Sequence, residues 1–147
     1  MIITQTPYRV SLFGGGTDYP AWYQEHGGAT LGMAIDQYCY VSANHAPPGQ
    51  TARYRIAYSK IEDCDRIEDI KHPGARGVLQ HLDVQTPVAL GYHGDLLAGS
   101  GLGASSSYVV GLLAALRELL GQRRVERVSL ALEAIHVERY VINEPVG

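Results

Sequence analysis

The sequence is short of cysteine, and nearly all of its aromatic residues are tyrosine. Its two cysteines, Cys39 and Cys64, have no Cys-x-x-Cys spacing, so they can form at most one disulfide and hold no metal cluster by themselves. Buried free thiols are the simpler expectation. The six histidines show no ligand spacing either. The residue pattern therefore predicts no metal centre built on cysteine or histidine.

Long apolar runs are also missing from the chain. No stretch approaches the ~20 apolar residues that a membrane-spanning helix needs. The first residues, 1–4, lack the basic and apolar regions of a signal peptide. We therefore predict a cytoplasmic protein that does not act in a membrane.

Charge is scarce as well. Charged residues make up 18% of the sequence, and 12 Lys and Arg stand against 15 Asp and Glu, which gives a formal net charge of −3. This balance argues against a nucleic-acid partner held by many phosphate contacts, but it allows a small anionic ligand. The hydrophobic share of 46% excludes intrinsic disorder, and 147 residues without a repeat or linker indicate one domain.

Glycine, in contrast, is abundant: 17 of 147 residues, against a usual share of ~7%. Alternating and β-branched residues predict strands over residues 2–13, 29–44, 53–59 and 87–97. Helices are predicted after His72-Pro73, over 108–120 as a buried helix that ends at Gly121, and over 125–142. Residues 60–71 have no clear pattern. Strands first and helices later predict an α+β fold.

The glycine-rich run at residues 99–107 (GSGLGASSS) precedes the buried helix. Backbone N–H groups free of side chains, together with a helix N-terminus, favour an anion such as a phosphate. The alternative is a tight turn in which Ser105 to Ser107 only cap the helix. A Walker A loop is excluded because no lysine follows Lys71. The loose dinucleotide pattern is met, but no second strand with an acidic end follows the helix.

Two glutamates on the last predicted helix have hard carboxylate oxygens of the kind that Mg²⁺ prefers. Leu130, Ala134, Val137 and Val141 form its inward stripe, and at 100° per residue Glu133 and Glu138 lie on opposite flanks of that stripe. The helical wheel does not choose between them. The alternative to a metal role is a surface glutamate paired with a neighbouring arginine.

Several motifs together resemble the GHMP kinases, the superfamily of galactokinase, homoserine kinase, mevalonate kinase and phosphomevalonate kinase. The run at 99–106 resembles their glycine-rich loop, and residues 6–18 (TPYRVSLFGGGTD) resemble their N-terminal motif. His72-Pro73 and residues 143–147 (NEPVG) resemble the branch that acts on D-glycero-D-manno-heptose 7-phosphate. Two departures are Ala104, in place of the first serine of the usual pair, and Leu97, in place of a proline. Neither removes a backbone donor.

The resemblance implies a nucleotide site and a metal site. ATP is the implied phosphate donor and Mg²⁺ the implied metal, held by Ser105 and by Glu138, which the resemblance prefers to Glu133. The implied fold is the α+β domain of ribosomal protein S5 domain 2, with a mixed or antiparallel sheet packed with helices. The residues implied to bind the nucleotide are Gly99, Ser100, Gly101, Leu102, Gly103, Ala104, Ser105 and Ser106.

On the acceptor side, the resemblance implies that Arg9 orients the attacking hydroxyl and that Asp18 binds the sugar. Gly15, Gly16 and Thr17 complete this acceptor motif. The alternatives are a strand-face arginine and a turn aspartate. Galactokinase has Glu-His where this chain has Gly15-Gly16, which argues against galactose as the acceptor. The resemblance to the heptose branch implies O1 of D-glycero-D-manno-heptose 7-phosphate as the acceptor, and the alternative is another GHMP sugar kinase, galactokinase- or fucokinase-like.

In the resembled family a catalytic aspartate, the general base, follows the Glu-Pro-Val-Gly turn, which is where this sequence stops. We therefore expect residues 1–147 to be the N-terminal, ATP-binding domain of a kinase about twice as long. Without the C-terminal domain the chain is not expected to turn over efficiently. The expected partners are a small-molecule sugar phosphate and ATP. Two other hypotheses are a non-catalytic sugar and nucleotide sensor and a dinucleotide oxidoreductase.

Overall fold

The computed structural model describes residues 1–97, 99–122 and 126–143. One five-stranded sheet contains every strand of this described part, in the order β1-β2-β5-β3-β4. Only the β5–β3 pair is parallel, so the sheet is mixed. The strands are β1 (Ile2–Phe13), β2 (Leu31–His45), β3 (Tyr54–Ala57), β4 (Ile61–Cys64) and β5 (Val88–Gly94).

Four α-helices accompany the sheet in the described ranges. They are α1 (Pro20–His26), α2 (Pro73–His81), α3 (Ala104–Leu119) and α4 (Arg127–His136). Helix α3 is buried along most of its length and packs on β1 and β2, and α2 and α4 pack against α3. The alternate residues Cys39, Val41 and Ala43 of β2 are fully buried. A side chain at Gly111 would have its Cβ 2.9 Å from Thr6 Oγ1, so glycine allows the close approach of α3 to β1.

The last helical segment changes its winding. Helix α4 ends at His136, and the backbone continues as a π-helix over Val137–Ile142. The predicted inward stripe is confirmed, since Ala134 and Val137 are buried while Leu130 and Val141 are half-buried. The predicted start of this helix at residue 125 lies outside the described residues.

Residues 14–30 connect β1 to β2 in the long β1–β2 hairpin. They leave the ladder at Phe13 and rejoin it at Leu31, which pairs with Phe13. This connecting segment contains a 3₁₀ helix at Gly15–Thr17 and helix α1, and neither helix buries a residue. The first residue of this segment must be glycine. At Gly14 φ is 93°, and an added Cβ would lie 2.0 Å from the carbonyl oxygen of Ala29.

The predicted α+β class with a mixed sheet is confirmed. Strand β1 has the predicted bounds, and α2 begins at Pro73 as expected, with His72 as its N-cap. Helix α3 begins at Ala104, four residues earlier than predicted, and ends before Gly121, which has the expected left-handed φ of 67°. Helix α1 and strand β4 were not predicted. Among the described residues, no helix is long and apolar enough to cross a membrane.

Candidate functional site

The glycine-rich loop reaches α3 through three left-handed glycines. Gly99, Gly101 and Gly103 have φ values of 82°, 75° and 77°, which other residues rarely adopt. An added Cβ at Gly99 or Gly101 would meet nothing within 4 Å, so the loop faces open space. Gly103 is the N-cap of α3, and no side chain in the described part of the chain caps this helix. The alternative in which Ser105 caps the helix is therefore wrong, and the first N–H groups of α3 remain available to a ligand.

Arg9 of β1 is in contact with this loop. Its backbone N–H donates to the carbonyl oxygen of Leu102 at 3.0 Å. Its Cγ would lie only 3.0 Å from a Cβ added at Gly103, so glycine is needed here for the approach of the arginine side chain. Arg9 Nη1 also donates to Ser11 Oγ at 2.7 Å. Arg9, the predicted acceptor arginine, is thus hydrogen-bonded to the loop and packs against it.

Glu138 lies on the first turn of the π-helix and is 5% exposed. Ser106, on the first turn of α3, donates a hydrogen bond from Oγ to Glu138 Oε2 at 3.1 Å. Ser105 is exposed and Ser107 is buried, with its Oγ donating to the carbonyl oxygen of Pro7. The structure therefore brings the predicted glutamate to the start of the phosphate loop's helix, next to Ser106 rather than Ser105.

Glu133 has a different neighbourhood. Its Oε1 lies 2.8 Å from His81 Nε2 and 2.5 Å from Arg117 Nη2, and Arg117 Nε donates to Oε2 at 3.2 Å. Burial alone would raise the pKa of this carboxyl, but the hydrogen bonds from Arg117 and His81 outweigh burial and hold the pKa below its usual value. The arginine-paired alternative thus describes Glu133.

A cavity of about 350 Å³ lies between β1, α3 and the α4–π segment. This volume is in the usual range of small-molecule sites. Two cationic and two anionic side chains line it together with Ser106, so it suits a ligand with both hydroxyl groups and negative charge. The charged lining residues are Arg9, Asp18, Glu138 and Arg139. Three of the four were predicted from the sequence as site residues.

The predicted acceptor turn is only partly at this cavity. Asp18 lines it, whereas Thr17 lines a smaller neighbouring cavity of about 230 Å³ that also contains Asp18 and Arg139. Gly15 and Gly16 are exposed, and a Cβ at either would meet nothing within 4 Å. Thr17 Oγ1 donates to the carbonyl oxygen of Gly14 at 2.9 Å and so holds the turn closed.

Sequence reasoning missed Arg139 and Tyr23. Arg139 Nη1 donates to Tyr23 Oη at 2.8 Å, and its guanidinium carbon lies 5.5 Å from the centre of the Tyr23 ring. Nη2 donates to the carbonyl oxygen of Asp18 at 3.2 Å. The two partners of Arg139 are 116 and 121 positions away in the sequence, so no local spacing pattern could predict these contacts. The only available signal was that Arg139 directly follows the candidate glutamate.

A second polar cluster lies behind the loop, at the start of α2. His72 Nδ1 accepts from the N–H of Ala75, so a histidine caps this helix. Glu62 accepts hydrogen bonds from the N–H groups of Lys71 and His72 and from Tyr58 Oη. Burial opposes ionisation of Glu62, yet these three donors lower its pKa. The side chains of this cluster accept hydrogen bonds from backbone N–H groups of residues 71, 72 and 75, and these bonds hold the start of α2 in place.

These features define a class of protein. The described loop, its helix and the facing glutamate lie within residues 70–147, and this region matches the family of GHMP kinases N terminal domains. Because the match covers more than half of the chain, the chain belongs to this family.

Two curated relatives of this chain are sugar kinases. The chain is 28% identical over 145 residues to the D-glycero-alpha-D-manno-heptose 7-phosphate kinase of Campylobacter jejuni, covering 90% of this chain and 43% of that protein. It is 29% identical over 153 residues to the galactokinase of Pyrococcus furiosus, covering 99% of this chain and 41% of that one. The chain thus spans less than half the length of these relatives.

A solved structure agrees in fold. The crystal structure of a D-glycero-D-manno-heptose 1-phosphate kinase from Bacteroides thetaiotaomicron superposes with a TM-score of 0.83 at 24% identity. The superposition covers all of this chain and 51% of that one. The predicted membership of the GHMP kinase superfamily is confirmed.

Proposed function

We propose that this chain belongs to an ATP-dependent sugar kinase, which transfers the γ-phosphate of ATP to a sugar hydroxyl. One observation carries the proposal. Arg9, Asp18, Glu138 and Ser106 line a single cavity, and Arg9 is hydrogen-bonded to the glycine loop, which is open to solvent. Phosphoryl transfer depends mainly on positioning and on neutralising charge, and this cavity offers groups for both.

The glycine loop, residues 99–106, is the proposed site for the ATP phosphates. Its left-handed glycines leave the backbone N–H groups without covering side chains, and the uncapped N-terminus of α3 adds a partial positive charge. Among the described residues after Lys71 there is no lysine, so the loop's backbone and the nearby Arg9 are the proposed cationic partners of the phosphates.

The residues at the cavity also fit a magnesium ion. Mg²⁺ prefers hard oxygen ligands and is commonly bound by one or two carboxylates together with substrate phosphates. The buried carboxylate of Glu138 and the hydroxyl groups at the start of α3, from Ser105 and Ser106, are such ligands. The phosphates of ATP would supply the remaining oxygen ligands. In the described ranges, no three His, Cys, Asp or Glu side chains form a metal-binding group. The ion would supply neutralisation of phosphate charge.

The acceptor is proposed to lie against Asp18. Its carboxylate would accept hydrogen bonds from sugar hydroxyl groups, and Arg9 would orient the attacking oxygen toward the loop. The open surface at Gly15 and Gly16 leaves room beside the turn for a substituent on the sugar. We propose D-glycero-D-manno-heptose 7-phosphate as the acceptor and its O1 as the attacking oxygen, supported by the His72-Pro73 motif and the Campylobacter relative. Galactose is the second candidate, supported by the Pyrococcus relative.

The test is an ATP-consumption assay of the product of the whole gene. The panel contains heptose 7-phosphate, galactose, fucose and mevalonate, with Mg²⁺ present or chelated, and ³¹P NMR identifies the phosphorylated position. We expect turnover with heptose 7-phosphate and a new anomeric phosphate. Turnover with galactose alone would replace the substrate. Saturable binding of ATP and sugar without turnover would indicate a sensor, and stabilisation by NAD but not ATP would indicate a dinucleotide enzyme.

A further inference from the structure

The segment that carries Asp18 has little apolar packing to hold it in place. Residues 14–30 are anchored at both ends by the Phe13–Leu31 pair, but the 3₁₀ helix and α1 between these ends bury no residue. A segment without buried side chains gains little from the hydrophobic effect and opens easily. Its position therefore depends on polar contacts with the rest of the molecule.

Arg139 makes such contacts from the opposite side of the cavity. One arm of its guanidinium donates to Tyr23 Oη at 2.8 Å, and the other arm donates to the carbonyl oxygen of Asp18 at 3.2 Å. The same group lies over the Tyr23 ring at 5.5 Å. A planar fork that binds two acceptors fixes orientation as well as distance, and the cation–π contact with Tyr23 adds to it.

Arg139 also directly follows Glu138 on the π-helix. The residue that reaches across to Asp18 and the proposed metal ligand are thus carried by the same turn of backbone. A displacement of segment 14–30 would change the distance between the sugar side and the phosphate side of the cavity. Such distances strongly affect the rate of a transfer reaction.

We propose that Arg139 is a positioning residue, which holds segment 14–30, and with it Asp18, at a fixed place relative to Glu138. The contact itself is a property of the fold. Its effect on the sugar rests on the proposed function, because only there does Asp18 bind the acceptor. Arg139 touches no reacting atom in this scheme and acts through Tyr23 and Asp18.

Amide hydrogen exchange tests the contact without any need for activity. Arg139→Met removes both hydrogen bonds, and we expect exchange across residues 17–26 to accelerate by about tenfold or more, while the amides of β1 and β2 keep their rates. Arg139→Lys keeps the charge but not the fork and should not restore protection. Tyr23→Phe removes one hydrogen bond, retains the ring and should accelerate exchange by a few-fold.

Arg55→Met is the matched control, because Arg55 forms a two-oxygen ion pair with Asp63 on the exposed β3–β4 hairpin. It should leave exchange at 17–26 unchanged. Unchanged exchange in both Arg139→Met and Tyr23→Phe overturns the proposal. Should Arg139→Met not fold, Tyr23→Phe alone decides it.

Steady-state kinetics of the whole gene product supply the second readout. With the sugar that proves active in the panel above, Arg139→Met should raise the KM for sugar about tenfold and leave the KM for ATP within about twofold. A KM for sugar and a kcat that both stay at the values of the parent protein, or a KM for ATP that rises as much as the KM for sugar, overturns the positioning role. If no sugar is turned over, the proposed function fails, and the exchange result still decides the role of Arg139.

Discussion

Two carboxylates five positions apart on the same helical segment have opposite surroundings. Glu133, on the α-helical part, is paired with Arg117 and His81, which belong to α3 and α2. Glu138, on the π-helical part, faces a cavity of about 350 Å³ and accepts a hydrogen bond from Ser106. The first region joins three helices, and the second is open to a ligand.

The difference shows how position relative to a cavity distinguishes two glutamates that are close in sequence. An anion that already has a guanidinium partner gains little from an added cation. An anion that lines a cavity of ligand size can contact a bound metal ion, which is the role we propose for Glu138. Removing each glutamate should therefore give nearly opposite results in activity and stability.

The largest effect is expected from Glu138→Gln. The amide keeps the shape of the side chain but removes the charge, so kcat/KM for ATP-dependent sugar phosphorylation should fall by about 100-fold or more. The free energy of unfolding should fall by less than in Glu133→Gln, because the amide keeps the size and shape of the side chain. ATP consumption and urea unfolding of the whole gene product measure the two quantities. Activity within threefold of the parent protein would transfer the metal role away from Glu138.

The second effect is a loss of stability in Glu133→Gln. Its side chain is 13% exposed and that of Arg117 is 25% exposed, so breaking the pair leaves a partly buried guanidinium. We expect the free energy of unfolding to fall by about 2 kcal/mol, with little change in kcat. Asp63→Asn is the control, because its pair with Arg55 is nearly half exposed and should contribute at most about 0.5 kcal/mol. Equal losses in the two variants would contradict the comparison.

The stability difference between the parent protein and Glu133→Gln should also depend on pH. The pKa of Glu133 is held below its usual value because hydrogen bonds from Arg117 and His81 outweigh burial. Its ionisation therefore stabilises the fold above the unfolded pKa, about 4.3, and this contribution is lost as pH falls through the folded pKa. Urea unfolding from pH 7 to pH 3 should show the difference shrinking below about pH 4. A difference that grows toward acid would show the opposite sign of coupling.

The smallest effects separate the two serines at the start of α3. Ser105→Ala should lower kcat/KM about tenfold if its exposed hydroxyl binds the metal or phosphates as proposed. Ser106→Ala should lower it by only a few-fold, because the carboxylate of Glu138 survives the loss of one hydrogen bond. Initial rates at several Mg²⁺ concentrations measure both. A larger and Mg²⁺-dependent loss in Ser106→Ala would move the proposed ligand from Ser105 to Ser106.

Much of the fold was predictable because its signals are local. Alternation defined β1, proline at the first turn defined α2, and the uniformly apolar run defined α3. Helix α1 was missed because it buries nothing and so has no apolar stripe. Strand β4 is four charged and apolar residues at a sheet edge, too short for its alternation to be recognised.

The site was predictable only in part. The helical wheel treated Glu133 and Glu138 as equivalent because it assumed 100° per residue throughout, and the change to a π-helix after His136 has no sequence signal that we recognised. The family resemblance preferred Glu138, and the geometry places that residue at the cavity. Arg139 could not be found from spacing, since its partners are distant in sequence and one of them is a backbone carbonyl.

The irregular pairing of β1 and β2 has a consequence for how this domain can vary in length. Pro7 pairs with Tyr38 but Arg9 pairs with Ala34, so residues 35–37 of β2 lie opposite the single, fully buried Tyr8. Removing one of these residues would turn every later side chain of β2 to the other face of the sheet, or pull Arg9 away from the glycine loop. The turn at Gly49, where an added side chain would meet nothing, carries no such constraint. Insertions and deletions should therefore be common between β2 and β3 and rare at 35–37, even where the residues themselves differ.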